Sequence, residues 1–84
     1  MLNTKQLDEL IDVLLSIKNK SEMYEFLLGL LTPKELEELP TRLSIVKMLK
    51  KGVSQHKIAD ELNVGIATVT RGSKELQKGR FNKI

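Results

Sequence analysis

The sequence predicts an all-α chain of five helices in one small domain, the last two helices forming a helix-turn-helix. Three observations carry that prediction. Apolar residues recur at helical spacing between capping signals. No segment alternates apolar and polar residues as a half-buried strand does. Residues 54–76, SQHKIADELNVGIATVTRGSKEL, hold the apolar, small and turn residues that two steeply crossing helices require.

Taken in order, Asn3 followed by Gln6 has the spacing of a capping box. Leu7, Leu10, Ile11, Leu14, Leu15 and Ile17 then mark a first helix. Ser21 is the expected cap of a second helix, which contains Met23, Phe26, Leu27, Leu30 and Leu31. Thr32-Pro33-Lys34-Glu35 is the strongest start signal in the chain. Thr32 caps, Pro33 suits the first helical position, and Glu35 returns a bond to the Thr32 amide. This third helix is expected to run to about Lys51 and stop at Gly52. Pro40 falls inside it, lacking an N–H and crowding the Leu36 carbonyl, so the expectation is either one bent helix or a short turn followed by a longer helix from Thr41.

Ser54 opens a fourth helix ending near Leu62, and Asn63-Val64-Gly65 forms a tight turn. Ile66 to about Lys78 is the fifth helix; Gly79 stops it and leaves Arg80 to Ile84 as a frayed basic tail. The expected organisation is residues 1–53 as N-terminal helices forming a dimer core, 54–78 as the helix-turn-helix unit and 79–84 as the tail.

Composition excludes several function classes. The chain has no cysteine, which removes disulfides and thiolate metal sites, and one histidine, His56. Few candidate nucleophiles or bases remain, and Glu35, Glu37 and Glu38 read as a charge cluster at a helix N-terminus, so an enzyme is not expected. No apolar run approaches the roughly 18 residues of a membrane span, and no signal peptide is evident, so a cytoplasmic protein is expected.

Charge is divided unevenly. Residues 1–41 carry 4 basic and 8 acidic groups, whereas residues 42–84 carry 10 basic and 3 acidic groups within a net charge of +3. A basic C-terminal half is the footprint of a protein that meets a polyanion. The acidic half is too apolar for its size: Met23, Tyr24, Phe26, Leu27, Leu28, Leu30 and Leu31 cover most of a helix circumference. A chain of 84 residues has little interior to receive them, which points to a homodimer with a shared core, the alternative being a tight monomeric bundle.

The chemistry concentrates in residues 54–78. Ile58, Leu62, Val64 and Val69 supply the contacts where the two helices meet, Ala59 is small at the crossing, and Asn63 tolerates left-handed dihedrals. Ile66, Ala67 and Thr68 are small enough to let the N-terminus of the last helix approach a DNA groove. Thr70 offers a hydroxyl and a methyl for base edges. Arg71, Lys74 and Lys78 share a stripe, with Gln55, His56 and Lys57 at the start of the preceding helix and Lys50 and Lys51 as flanking phosphate contacts.

From LTP and TR through to GIATVTRGS, residues 31–76 resemble the tryptophan repressor family. The resemblance implies an intertwined homodimer and a repressor of operator DNA whose reading heads are spaced by bound L-tryptophan or a related amino acid, with no other cofactor. Arg42 and Arg71 stand where the family sandwiches the indole, Thr32 matches its pocket threonine, and Gly72 the glycine that leaves room for the ring. The Gly29 and Leu31 carbonyls fall where a partner chain meets the ligand ammonium. Four departures stand out. Glu75 replaces a serine, and its carboxylate either holds the ammonium or occupies Arg71 and closes the pocket. His56 replaces a guanine-reading arginine, Pro40 replaces a glycine, and the chain ends before the family's last helix. Two other readings remain open: an effector-independent DNA-binding dimer, and a basic protein-interaction module.

Overall fold

A computed structural model describes all residues, Met1–Ile84. It contains five helices and no strand: α1 Thr4–Ser16, α2 Lys20–Leu30, α3 Pro33–Lys50, α4 Gln55–Leu62 and α5 Ile66–Gln77. The chain divides into two compact units, Met1–Leu36 and Glu37–Ile84.

In the first unit the helix starts are fixed by side chains. Asn3 Oδ1 accepts the Gln6 N–H at 3.0 Å and caps α1. The cap of α2 is Asn19, not Ser21: Asn19 is extended, with φ −135° and ψ 160°, and its Oδ1 accepts the Glu22 N–H at 2.8 Å. Asparagine and serine are nearly equivalent caps, so the residue two positions earlier takes the role once its backbone is extended, and Ser21 is drawn into the first turn. At α3 the capping box forms in full, with Thr32 N–H donating to Glu35 Oε1 at 2.9 Å and Glu35 N–H to Thr32 Oγ1 at 3.2 Å. The Thr32 amide, and then its hydroxyl, hold the Glu35 carboxyl below its ordinary value.

Neither α1 nor α2 contains a buried residue. Leu7, Ile11, Val13 and Leu15 on α1, and Tyr24, Leu28 and Leu30 on α2, are all exposed. Helices this apolar normally hide such a face.

Pro40 does not break α3, which is helical from Pro33 to Lys50. Of the two expected outcomes the single helix is realised, and no turn precedes Thr41. A proline removes one ladder bond and crowds one carbonyl, and here both flanks hold the helix against that cost. The capping box secures its start, Ile45 and Val46 are buried toward its end, and the Thr41 hydroxyl adds a bond to the Glu37 carbonyl at 2.9 Å.

The second unit has a true core. Ile45 from α3, Ile58 from α4 and Val69 from α5 are almost wholly buried, with Met48, Leu49, Val53, Ala59, Leu62 and Val64 packed around them. Each such burial contributes about 1.5–3 kcal/mol. All three helices end in the same way. At α3, Val53 N–H reaches the Met48 carbonyl and Gly52 N–H the Leu49 carbonyl, with Gly52 at φ +85°. At α4, Val64 N–H reaches Ala59 and Asn63 N–H reaches Asp60, with Asn63 at φ 53°. At α5, Arg80 N–H reaches Glu75 and Gly79 N–H reaches Leu76, with Gly79 at φ +82°. These are Schellman closures, which satisfy carbonyls the helix ladder leaves open. In the first two, the residue after the left-handed position is a valine that joins the core.

Residues 80–84 are not a frayed tail. Arg80 Nε lies 3.4 Å from Glu75 Oε2, and the Lys50 ammonium donates to the backbone carbonyls of Phe81 and Ile84. The turn at Gly79 sends the segment back over its own unit, where these cations meet their acceptors.

Candidate nucleic-acid interface

Ser54 is extended and its hydroxyl accepts the Lys57 N–H at 3.3 Å, which sets the start of α4. Ile58 and Ala59 turn inward, and Asn63 reverses the chain in the left-handed region. Gly65 begins α5 without any side-chain cap; its carbonyl accepts the Thr68 N–H at 3.1 Å, and the Ile66 and Ala67 N–H groups meet no side-chain acceptor from the capping residue. With Val69 fully buried beneath, Ile66, Ala67, Thr68, Arg71 and Lys74 are left exposed on α5. The face is small at its N-terminal end and basic further along.

His56 and Lys57 are also exposed, and Lys57 lies 3.9 Å from Glu61 in a surface ion pair. An exposed pair of this kind is worth about 0–1 kcal/mol and is easily exchanged for another anion. Arg71 and Lys74 enter none of the four ion pairs of the chain. Lys50, expected as a phosphate contact, instead holds the carbonyls of the C-terminal turn. Thr70 also differs from expectation. It is half-buried and its hydroxyl lies 2.9 Å from Gln55 Oε1, joining α5 to the first residue of α4. That bond spans 15 residues and has no sequence signature.

The residues expected at an effector site are divided between the units. Gly29 lies within α2, Leu31 ends it, and Thr32 has its hydroxyl committed to the α3 capping box. Arg42 pairs with Glu38 one turn earlier at 3.5 Å, both side chains being about half exposed (55% and 43%). Gly72 has a packing reason of its own: a Cβ there would stand 3.1 Å from Ile45 Cγ2, so its absence lets α5 close on α3. Glu75 does not occupy Arg71. Desolvation would raise its carboxyl, but Lys78 at 3.5 Å and Arg80 at 3.4 Å outweigh that and hold it below the ordinary value.

No three acidic, histidine or cysteine side chains converge to hold a metal, and no helix is long and apolar enough to cross a membrane.

A family model described as Trp repressor protein matches residues 5–82, the span that contains all five helices but the first residue of α1. The chain belongs to the Trp repressor family. Among the relatives of this Trp repressor family member is the uncharacterized protein YerC of Bacillus subtilis (strain 168), 37% identical over 78 residues, which are 93% of this chain and 75% of that protein. The Trp operon repressor homolog of Vibrio parahaemolyticus serotype O3:K6 (strain RIMD 2210633) is 51% identical over 59 residues, 68% of this chain and 57% of its own length. That of Vibrio vulnificus (strain YJ016) is 48% identical over 62 residues, 66% of this chain and 61% of its own. The chain therefore spans about three fifths of these two Vibrio proteins. Membership places it among regulators of transcription rather than enzymes.

Proposed function

We propose that this Trp repressor family member is a homodimeric repressor that binds operator DNA sequence-specifically, with L-tryptophan or a related amino acid as corepressor. The observation that carries the reading is the α4–α5 unit. Ile58 and Val69 lock it from within, while Ile66, Ala67, Thr68, Arg71 and Lys74 remain exposed on α5. A helix with a small N-terminal end and a basic flank fits a major groove, with cations left for phosphates.

The dimer is supported by α1 and α2, whose exposed leucines, Ile11 and Tyr24 find no cover within the chain. The partner is a second copy of this chain. Two such units on one face of B-DNA must present their α5 helices about 34 Å apart. The corepressor acts by population shift: bound between Arg42 and Arg71, it favours the spacing that fits. Guanidinium planes stack on an indole and pair with a carboxylate, so both ends of an aromatic amino acid are served. Arg42 must then exchange Glu38 for the ligand, which costs little for an exposed pair. Thr32, Gly72 and Glu75, with the Gly29 and Leu31 carbonyls contributed by the second copy of the chain, complete the proposed effector site. Gln55, His56, Lys57, Ile66, Ala67, Thr68, Thr70 and Lys74 form the proposed DNA face.

The chain has no tryptophan and one tyrosine, so selective excitation of L-tryptophan reports almost solely on ligand during titration with protein. The expected result is a saturable spectral shift that Arg71→Ala abolishes. Absence of binding up to millimolar ligand, by a folded dimer, would favour an effector-independent repressor instead. Arg42 held by Glu38 and the additional carboxylate of Glu75 are the features that support that second reading. Sequence-selective duplex binding that persists at moderate salt distinguishes both from a basic protein-interaction module.

A further inference from the structure

The bond between Thr70 and Gln55 determines which atoms the start of α4 presents outward. Thr70 Oγ1 lies 2.9 Å from Gln55 Oε1 and 3.0 Å from the Ile66 carbonyl oxygen, and a hydroxyl has one proton to give. The Ile66 carbonyl lies four residues back in the same helix and already receives the ladder bond of Thr70 N–H. The proton is therefore best used on Gln55, whose Oε1 has no other donor within the chain.

A carboxamide whose oxygen is held in this way turns its nitrogen, with two N–H donors, in the opposite direction. Gln55 Nε2 has no partner in the chain, and no buried side-chain nitrogen or oxygen lacks one, so Nε2 reaches solvent. Its place is the first residue of α4, beside Ser54 and directly before exposed His56 and Lys57.

We propose that Thr70 is a positioning residue of the DNA face: its hydroxyl orients the Gln55 carboxamide so that Nε2 donates to an acceptor atom of the duplex, and Thr70 itself reads no base. This inference rests on the DNA-binding reading above. It has a restrictive consequence. Bidentate recognition of adenine by glutamine needs one N–H and one open lone pair on Oε1. Thr70 takes one of the two lone pairs and so limits the direction from which Oε1 can be approached, while Nε2 stays free to donate to phosphate oxygens or to the acceptor atoms of adenine, guanine or thymine.

The test is a double-mutant cycle of Thr70→Val and Gln55→Met, read as affinity for a duplex that the wild-type protein has selected from a randomised pool. Melting temperature is followed alongside. Thr70→Val is expected to weaken binding about three- to tenfold in the wild-type background and to have no further effect in Gln55→Met. Thr70→Ser, which keeps the hydroxyl, restores affinity to within about twofold. Should the valine variant not fold, Thr70→Ala serves in the same cycle. Equal losses in both backgrounds would mean that Thr70 contacts DNA directly and would overturn the proposal. So would unchanged affinity with a lowered melting temperature, which marks a merely structural bond. A Gln55→Met loss equal on selected and random duplexes supports a phosphate acceptor; a loss confined to the selected duplex supports a base. A wild-type protein that retains no duplex at low salt overturns the DNA reading and this inference with it, whereas wild-type binding with an uncoupled cycle overturns this inference alone.

Discussion

Glu75 faces Arg80, with Oε2 3.4 Å from Nε, and not Arg71 four residues before it on α5. The left-handed turn at Gly79 brings Arg80 back onto the helix it has just left, and Lys78 meets the other carboxylate oxygen at 3.5 Å. Of the two roles that the sequence left open for Glu75, closing the site by taking Arg71 is not realised in this structure. The carboxylate serves instead as the anchor of the C-terminal turn.

Glu75→Gln should therefore loosen residues 80–84 without disturbing the α4–α5 unit. Amide exchange is expected to quicken at residues 80–84 while Ile58 and Val69 keep their protection. Equal acceleration across both regions would show that the anchor supports the whole unit.

Stability should fall on the acid side. Glu35, through the Thr32 amide and hydroxyl, and Glu75, through Lys78 and Arg80 acting against desolvation, both have folded pKa values below the ordinary 4.5. As pH drops, the unfolded chain takes up these protons first, so the contribution of each group is present above the ordinary value and is lost as pH falls through the lowered folded value. Urea unfolding measured from pH 7 to pH 3 (about the range in which carboxylates titrate) should show the decline, and Glu35→Gln should remove its share of it.

Gly72→Ala tests the packing role of that glycine. The added methyl would stand 3.1 Å from Ile45 Cγ2, and Ile45 is only 1% exposed, so it has little room to move. Alanine gains up to about 1 kcal/mol of helix propensity, while overpacking costs about 1–3 kcal/mol, and a net loss near 1 kcal/mol is expected. Chemical denaturation gives the value directly, and a stabilised variant would show that α5 and α3 do not press on each other at this point.

Asn63 holds φ 53° and ψ 50°, the one non-glycine residue with positive φ. Asn63→Gly should be nearly neutral, whereas Asn63→Val should cost about 1–2 kcal/mol because a β-branched side chain crowds the following carbonyl. The same denaturation experiment separates the two, and equal losses would point to the asparagine side chain rather than its backbone.

The proposed dimer predicts that Ile11→Asp, on an exposed apolar helix face, shifts the protein from dimer to monomer. Sedimentation velocity measures this. A variant that remains dimeric would move the interface away from α1.

Helix boundaries were legible because their signals are local. Asn3, Thr32 and Ser54 each bind an N–H three residues ahead, and Gly52, Asn63 and Gly79 each supply the left-handed residue that ends a helix. Where two good caps lay two residues apart, at Asn19 and Ser21, local chemistry did not choose between them. The extended backbone at Asn19 did. Pro40 left a single helix and an interrupted one both open for a similar reason: its cost is local, but the burial of Ile45 and Val46 that helps to hold α3 together is not.

The residue types alone settle that this chain is helical, where its helices stop, and that Ile58, Ala59, Asn63 and Val69 make two helices cross. Each of those outcomes depends on dihedral preference or on apolar spacing within a few residues. Folding in three dimensions decides what the polar groups do. The Thr70 hydroxyl reaches Gln55 across 15 residues, and the Lys50 ammonium reaches the Phe81 carbonyl across 31. A hydroxyl or an ammonium accepts many partners of nearly equal energy, so the one it takes is set by whichever acceptor the packed backbone brings within about 3 Å.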